Sequence, residues 1–177
     1  MAPDRARQAD AAAGGFRARV DRFTELVGEC ISWLALVIVA LMATNVVLRY
    51  LFSAGTVWAQ ELEWHLLVPL ILFGMSYALR HGEHVRVDIV YGRFSARTKL
   101  RVDLVSALLT AAISVLVIWL SLHYVEQSYV IGEQSQDPGG LPYRFLLKAL
   151  IPIGFALLLA QSVASAAACL DKLRKSG

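Results

Sequence analysis

At 177 residues the chain has the length of one domain, and 57% of its residues are hydrophobic whereas 18% are charged. Its mean hydropathy of +0.56 is above that of ordinary soluble domains, and its apolar residues gather in uncharged runs long enough to cross a bilayer core of about 30 Å. The composition therefore excludes an ordinary soluble domain and predicts an integral membrane protein. The net charge of +3 is expected to face anionic lipid headgroups, and nucleic acid is not an expected partner.

The first 29 residues divide into two parts. Residues 1–15 are polar, rich in Ala and without hydrophobic periodicity, so they are predicted to be disordered. From residue 16 onward, apolar side chains recur at helical spacing and charged side chains occupy the other faces. This second part is either an amphipathic helix in the inner headgroup layer or an extension of the first membrane helix. Its periodic apolar residues are Phe16, Val20, Phe23, Leu26 and Val27.

Residues 16–175 are predicted to form a single all-α membrane domain with four transmembrane helices. The fourth span is rich in Gly, Ala and Ser, and small residues let helix backbones approach closely, so this span is the expected packing face. The third span carries a thin polar stripe. The four spans are predicted at about residues 30–51, 57–79, 103–125 and 149–170.

Three single residues mark local features of the first two spans. Asn45 is a polar residue in an apolar run and can hydrogen-bond a neighbouring helix. Thr56 can cap the second helix at its N-terminus. Pro69 removes a backbone hydrogen bond inside that helix and therefore predicts a kink.

The basic residues predict the orientation of the four spans. The segment 80–101 holds six Lys or Arg residues, five more precede the first span and three follow the last, whereas the other two loops hold one and two. Short loops rich in Lys and Arg stay on the cytoplasmic side. Both termini are therefore expected in the cytoplasm, an N-in/C-in topology.

No catalytic constellation is present in the sequence, so the protein is not expected to be an enzyme and no cofactor is predicted. It has no nucleophile elbow, no HExxH motif and no Gly-rich phosphate loop after a strand. His81, Glu83, His84 and Asp88 are the nearest approach to a metal site, but their spacing favours a hydrogen-bonded loop, and no metal is predicted. Few polar groups lie at mid-membrane depth, so a partner subunit is expected to carry any transport.

An alternative is a membrane anchor or redox subunit of a quinone-linked enzyme complex. Such a subunit needs at least two intramembrane histidines to ligate haem. His65 and His123 lie near the same predicted depth in the second and third spans, so the sequence leaves this class open.

Several motifs resemble one known family. The sequence has an RYxF motif at Arg49, a WxxE spacing from Trp58 to Glu61, and the run LRHGEHVRVD at residues 79–88. Leu141-Pro142 and a Pro-x-Gly at residues 152–154 follow. Together, over residues 23–170, they resemble the small membrane subunit of tripartite ATP-independent periplasmic (TRAP) transporters, the DctQ-like proteins. The chain departs from the family pattern at Gln60, where a second acidic residue is frequent.

The resemblance implies a three-part importer in the bacterial inner membrane. In such systems a periplasmic substrate-binding protein captures an organic anion, and a large DctM-like membrane subunit moves the anion inward with sodium by an elevator motion. The small multi-pass subunit is a scaffold that braces the large one. The expected partners of this chain are therefore the large subunit, the periplasmic protein and the lipid bilayer.

The resemblance and the charge pattern single out two candidate contact regions. At the outer side, Arg49 could pair with Glu61 while Tyr50 and Trp58 anchor the corner in the headgroup layer. At the inner side, the turn after the second span either meets the large subunit or serves only as a topogenic basic loop. The candidate residues are Arg49, Tyr50, Trp58, Glu61, Arg80, Glu83, His84, Arg86 and Asp88.

Overall fold

The computed structural model describes the backbone of residues 2–82, 91–92 and 94–175, with side chains from residue 15 onward. This part of the chain forms four helices long and apolar enough to cross a membrane, and it contains no strand. The predicted all-α class with four membrane helices is confirmed. The helices are α1 (Ala2–Phe52), α2 (Val57–His81), α3 (Ala96–Val130) and α4 (Arg144–Lys175).

Helix α1 is continuous, so residues 16–29 extend the first membrane helix and do not form a separate helix. Its polar side faces the bundle at this end: Thr24 is 1% exposed, whereas Phe23 and Leu26 point outward. The helix begins at Ala2, which differs from the disordered segment predicted for residues 1–15. Ala has the highest helix propensity of all residues, and this accounts for helical backbone without an amphipathic pattern.

The ends of α2 and α3 have distinct caps. Thr56 occupies the predicted N-cap of α2 with an extended backbone, but its side chain makes no cap hydrogen bond. At the other end, Gly82 adopts a left-handed φ of 72° and its amide donates to the carbonyls of Ala78 and Leu79, so α2 ends with a C-capping turn. Ser95 caps α3 by accepting from the amide of Thr98 at 3.2 Å.

Helix α4 lies at the centre of the bundle. It packs against each of the other three helices, most extensively against α3, and α1 packs against α2. The helices are therefore arranged in the order α1, α2, α4, α3, and the prediction of a packing face on the fourth span is confirmed. Small side chains permit this close packing where lipid supplies no hydrophobic drive. The buried residues of α4 are Gly154, Leu157, Leu158, Gln161, Ser162, Ala164, Ala166 and Ala168.

The polar stripe of α3 forms a packing seam. Its four buried residues, Ala107, Ser114, Ser121 and Ser128, are spaced seven apart, which is the period of left-handed helix packing. The hydroxyl of Ser114 donates to the Thr110 carbonyl at 2.7 Å within the same helix. Such a serine can enter a tight helix contact without needing a partner on the other helix.

Two glycines permit close approach between helices. A Cβ added at Gly154 of α4 would lie 2.8 Å from the Cβ of Leu72 in α2, and a Cβ added at Gly28 of α1 would lie 2.0 Å from the ring of Tyr77. Contacts this short do not occur between real side chains. Helix α2 therefore packs against both α4 and α1 at positions where an added Cβ would force its neighbour to shift.

The polar side chains of α2 gather at its two ends. Glu61 lies near the start and Arg80 near the end of the helix. Their separation of nineteen residues corresponds to about 28 Å of helix, which is close to the hydrocarbon thickness of a bilayer. Each end carries a cluster of polar residues that joins α2 or α4 to other parts of the chain.

Candidate functional site

The first cluster is organised around the carboxylate of Glu61 in α2. This side chain is buried and accepts hydrogen bonds from the hydroxyl of Ser135, from the amide of Leu141 at 2.5 Å and from Nη2 of Arg144 at 3.2 Å. Ser135 and Leu141 belong to the connection between α3 and α4, and Arg144 is the first residue of α4. One carboxylate therefore binds the connecting loop and the start of α4 to α2.

A second ion pair lies beside it. Lys148 of α4 donates to the carboxylate of Glu133, and its ammonium group lies 3.9 Å from the ring centroid of Tyr124 in α3. The backbone carbonyl of Glu133 also accepts from the amide of Arg144 at 3.2 Å. The hydrogen bond from Lys148 holds the pKa of Glu133 below its ordinary value. We refer to Glu61, Glu133, Ser135, Arg144 and Lys148 as the Glu61 cluster.

Gly140 lets the loop approach Glu61. A Cβ at this position would lie 2.3 Å from the Oγ atom of Ser135 and 2.7 Å from Oε2 of Glu61. The neighbouring Gly139 has a φ of 83°, a left-handed conformation that side chains disfavour. The Gly139-Gly140 pair therefore provides both the turn and the space that bring the Leu141 amide to the carboxylate.

The predicted pairing of Arg49 with Glu61 is wrong. Glu61 pairs with Arg144, and Arg49 is exposed with its Nε atom lying over Gly55. The reason is helical phase: Glu63 faces α1, where its carboxylate accepts from Asn45 at 3.0 Å, and Glu61 lies two residues away on the opposite side, towards α4. The same contact confirms that Asn45 hydrogen-bonds a neighbouring helix.

The two aromatic residues of the predicted outer corner lie on the surface. Tyr50 is 81% exposed and Trp58 is 50% exposed, so both can meet lipid or a partner. Of the four candidate residues at this corner, three are therefore exposed, Arg49, Tyr50 and Trp58, and Glu61 is buried. Whether the three exposed residues contact a partner stays a prediction.

The opposite end of the bundle holds a second cluster, formed by Asp21, Thr24, Glu25, Arg80 and Gln161. Thr24 donates to Oε1 of Gln161 at 2.9 Å, and Nε2 of Gln161 donates to Asp21 at 3.0 Å. Arg80 donates to the carboxylate of Glu25. We name this the Gln161 cluster; its hydrogen bonds link the first turns after residue 15 of α1 with α4 and with the end of α2.

The remaining candidates of the inner turn, Glu83, His84, Arg86 and Asp88, lie outside the described residues. Of the four weak candidates for a metal site, only His81 is described, and its Nε2 atom lies 3.6 Å from the carboxylate of Glu25. Within the part of the chain that the structure describes, no three His, Cys, Asp or Glu residues are grouped so that they could hold a metal ion.

The two histidines considered for haem ligation have different surroundings. His65 lines a cavity beside Glu61, and its Nδ1 atom lies 2.7 Å from the Glu61 carbonyl. His123 is largely exposed, with its Nδ1 atom 3.8 Å from Glu126 on the same helix. These placements give no support to a pair of axial ligands.

Several residues that belong to the two clusters or bind them were not among the candidates. Arg144 and Lys148 counted in the sequence only as two basic charges of a loop, and Leu141 only as part of a motif. The signal for Arg144 and Lys148 was their isolation, because two basic residues beside an apolar span need carboxylate partners. Gln161 carries a comparable signal, since it is a polar amide inside the fourth predicted span.

The sequence profile of the DctQ component of tripartite ATP-independent periplasmic transporters matches residues 38–172. The chain belongs to this family. The match contains the whole Glu61 cluster, whereas Asp21, Thr24 and Glu25 of the Gln161 cluster precede it. The predicted resemblance to TRAP small permeases is therefore confirmed.

Two relatives illustrate the membership. The chain is 28% identical over 123 residues to the ectoine TRAP transporter small permease protein TeaB of Halomonas elongata, a match that covers 67% of this chain and 63% of TeaB. It is 27% identical over 161 residues to the C4-dicarboxylate TRAP transporter small permease protein DctQ of Vibrio cholerae, covering 79% of this chain and 69% of that protein. The chain thus spans about two thirds of the length of these relatives.

Proposed function

We propose that this TRAP small permease subunit is a scaffold that conducts nothing itself and braces a large elevator-type membrane subunit during sodium-coupled import of an organic acid. One observation carries the proposal. Helices α1 and α3 expose apolar side chains along most of their length, and no other described part of the chain covers them. In a family of multi-component transporters, such faces suit a bilayer on one side and a larger membrane partner on the other.

The interior of the bundle supports a role without conduction. Among the described residues, the charged side chains of α2 and α4 gather near the helix ends. In the Glu61 cluster they form pairs within the chain, Glu61 with Arg144 and Glu133 with Lys148. A route for an ion and an anion needs polar groups at mid-membrane depth. The substrate and the sodium ions are therefore assigned to the large subunit.

The orientation and the other partners belong to the same proposal. The positive charge of the Gln161 end suits the cytoplasmic side of a bacterial inner membrane, so both termini are expected inside. The Glu61 end then faces the periplasm, where a substrate-binding protein delivers the organic acid. Reporter fusions at the C-terminus test the proposed orientation, and a C-terminus found in the periplasm would contradict it.

Cysteine cross-linking tests the bracing role. Leu36→Cys places a thiol on the exposed face of α1, Leu116→Cys places one on the exposed face of α3, and Ala164→Cys places one in the buried seam as a control. In membranes that contain the large subunit, one exposed face is expected to cross-link to it and the buried position is not. If neither exposed position cross-links to the large subunit while the complex keeps its size, the proposed bracing role is wrong.

Reconstitution into lipid vesicles tests which subunits are needed for transport. The subunit reconstituted alone is expected to carry no sodium-driven uptake, and uptake should require the large subunit and the periplasmic protein together. Flux through the isolated subunit would contradict the scaffold role.

The turn that holds Glu83, His84 and Asp88, within the segment from Arg80 to Asp88, stays a proposed contact with the large subunit. His84→Ala and Asp88→Asn change the basic bias of this segment little. If the segment is a contact, both variants should insert normally and co-purify less of the large subunit. Unchanged co-purification would instead favour a purely topogenic loop.

A further inference from the structure

Three aromatic rings line a cleft of about 410 Å³ at the Glu61 end of the bundle. Tyr129 lies in the last turn of α3, Tyr143 ends the connecting loop, and Phe145 lies in the first turn of α4. The Phe145 ring stands at 80° to the ring of Tyr129 and at 88° to the ring of Tyr143, with centroids 5.2 Å and 6.2 Å away. We name this the Tyr143 cleft; Val130 and residues 132–134 complete its lining.

The backbone of Tyr143 is held in an unusual conformation. Its φ of 63° lies in the left-handed region, which is uncommon for a bulky residue and persists only where neighbouring contacts impose it. Before it in the chain, the amide of Leu141 donates to the Glu61 carboxylate. After it, the amide of Arg144 donates to the carbonyl of Glu133 at 3.2 Å. The Glu61 cluster therefore fixes the backbone that carries the Tyr143 ring to the cleft.

In the described part of the chain, no lysine or arginine covers the three rings. The lysines that lie over aromatic rings are Lys99, over Tyr91, and Lys148, over Tyr124. Glu133 is the one charged residue that lines the cleft, and its carboxylate already accepts from Lys148. The cleft thus offers ring faces to a ligand and no unpaired charge.

The charges around this end of the bundle favour a cation. Both connections at this end, residues 53–56 and 131–143, are fully described, so no basic residue of a loop is left out of the count. Over residues 49–63 and 126–148, five carboxylates stand against three Lys or Arg residues, a net charge of −2. Glu126 and Asp137 are exposed among them. A surface with an excess of carboxylates raises the local concentration of cations.

The Tyr143 cleft lies at the height of the lipid headgroups. The third predicted span ends at residue 125, four residues or about 6 Å of helix before Tyr129. Aromatic side chains are common at this height, so their presence alone indicates no ligand. Here, however, three rings set at right angles line one cleft, and one of them is held by a constrained backbone.

We infer that the Tyr143 cleft binds a quaternary ammonium group in the manner of an aromatic cage. The faces of aromatic rings carry negative partial charge and attract a cation. A quaternary ammonium has no N–H group and needs no hydrogen-bond acceptor, which suits a cleft whose carboxylate is already paired. The group comes either from a free cation such as choline or from the headgroup of a phosphatidylcholine in the adjacent leaflet.

NMR saturation transfer from the full chain in maltoside micelles tests whether the ligand has to be charged. Choline is the probe, and its control is the uncharged carbon analogue in which a tert-butyl group replaces the trimethylammonium. We expect saturable transfer to the methyl protons of choline and binding of the neutral analogue at least about fivefold weaker. Equal binding of the two, or no transfer to choline, would overturn the inference.

One pair of variants locates the site. Tyr129→Leu removes a ring of the cleft, whereas Tyr50→Leu removes an exposed tyrosine elsewhere at the same end. The first should weaken choline binding about fivefold, and the second should leave it unchanged. Equal effects of the two substitutions would place the cation elsewhere and overturn the inference. The comparison of choline with its neutral analogue uses the unmodified protein, so it stays decisive if Tyr129→Leu disturbs the fold.

Nanodiscs distinguish the two sources of the ammonium group. Loss of choline binding in phosphatidylcholine nanodiscs, with binding kept in phosphatidylglycerol nanodiscs, would assign the cleft to a lipid headgroup. Equal binding in both would assign it to a free cation, and no binding in either would overturn the inference. The cleft lies within this one chain, so its failure would leave the proposed bracing role untouched.

Discussion

Arg144 donates from Nη2 to the carboxylate of Glu61 at 3.2 Å and so joins the start of α4 to the start of α2 across 83 residues of sequence. The same carboxylate accepts from Ser135 and Leu141. It therefore closes the loop between α3 and α4 over this end of the bundle. A role for Glu61 in the transporter would thus act through the shape of the loop, because the side chain itself is buried.

Glu61→Gln is expected to lower the melting temperature of the purified subunit and to make the loop at residues 131–143 more sensitive to protease. The substitution keeps the size of the side chain but leaves the guanidinium of Arg144 without its anion. Glu126→Gln is the matched control, because this carboxylate is exposed and lies 3.8 Å from His123 on the same helix. Equal melting temperatures and equal cleavage rates for the two variants would show that the Glu61 contacts do not hold the loop.

Substitutions at two helix glycines should have opposite effects. Gly154→Ala would push a Cβ to 2.8 Å from Leu72 and should destabilise the fold by about 1–3 kcal/mol through overpacking. Gly74→Ala meets no atom within 4 Å and should stabilise α2 by about 0.5–1 kcal/mol through lower backbone entropy in the unfolded chain. Thermal unfolding in detergent, followed by tryptophan fluorescence, measures both. A stabilising Gly154→Ala would contradict the close contact between α2 and α4.

The hydrogen bond between Thr24 and Gln161 predicts a coupling between these residues. Gln161→Leu alone removes the acceptor of the buried Thr24 hydroxyl and one donor to Asp21, and it should cost about 1–3 kcal/mol. Thr24→Val added to it removes the hydroxyl that has lost its acceptor, so the double variant should lose less than the sum of the two single losses. A double-mutant cycle measures the difference, and strict additivity would argue against the contact.

The stability of the Glu61 end should depend on pH through Glu133. Its pKa is lowered by the hydrogen bond from Lys148, so protonation of this group opposes folding. The stabilisation is complete above the ordinary value of 4.5 and is lost as the pH falls through the lower pKa of the folded state. Glu133→Gln should therefore flatten this part of the curve of melting temperature against pH. A curve of unchanged shape would assign the acid sensitivity to other carboxylates.

The membrane helices were predictable because their signal is local. A run of uncharged apolar residues has to span the bilayer as a helix, since no water is present to satisfy the backbone. The packing role of the fourth span was predictable for a similar reason, because small residues matter only where helices touch. Asn45 was correctly expected to reach a neighbouring helix, although its partner, Glu63, was not identified.

The partners of Glu61 could not be predicted from spacing. Arg49 is near in sequence and lies across a short connection, so it was the natural choice of cation. The pairing of Arg49 with Glu61 is wrong because the rotation of α2 directs the Glu61 side chain towards α4. Gly139 and Gly140 also bring the distant loop to the Glu61 carboxylate. Rotation about a helix axis depends on all the contacts of the helix, which no single motif encodes.

The sequence by itself determined that this protein is a four-helix membrane subunit of the DctQ type, because hydropathy and short motifs are properties of neighbouring residues. Only the tertiary structure decided which charges meet and where the small residues pack. These features arise from contacts between residues far apart in the chain, and their geometry follows from how each helix is rotated and placed against the others.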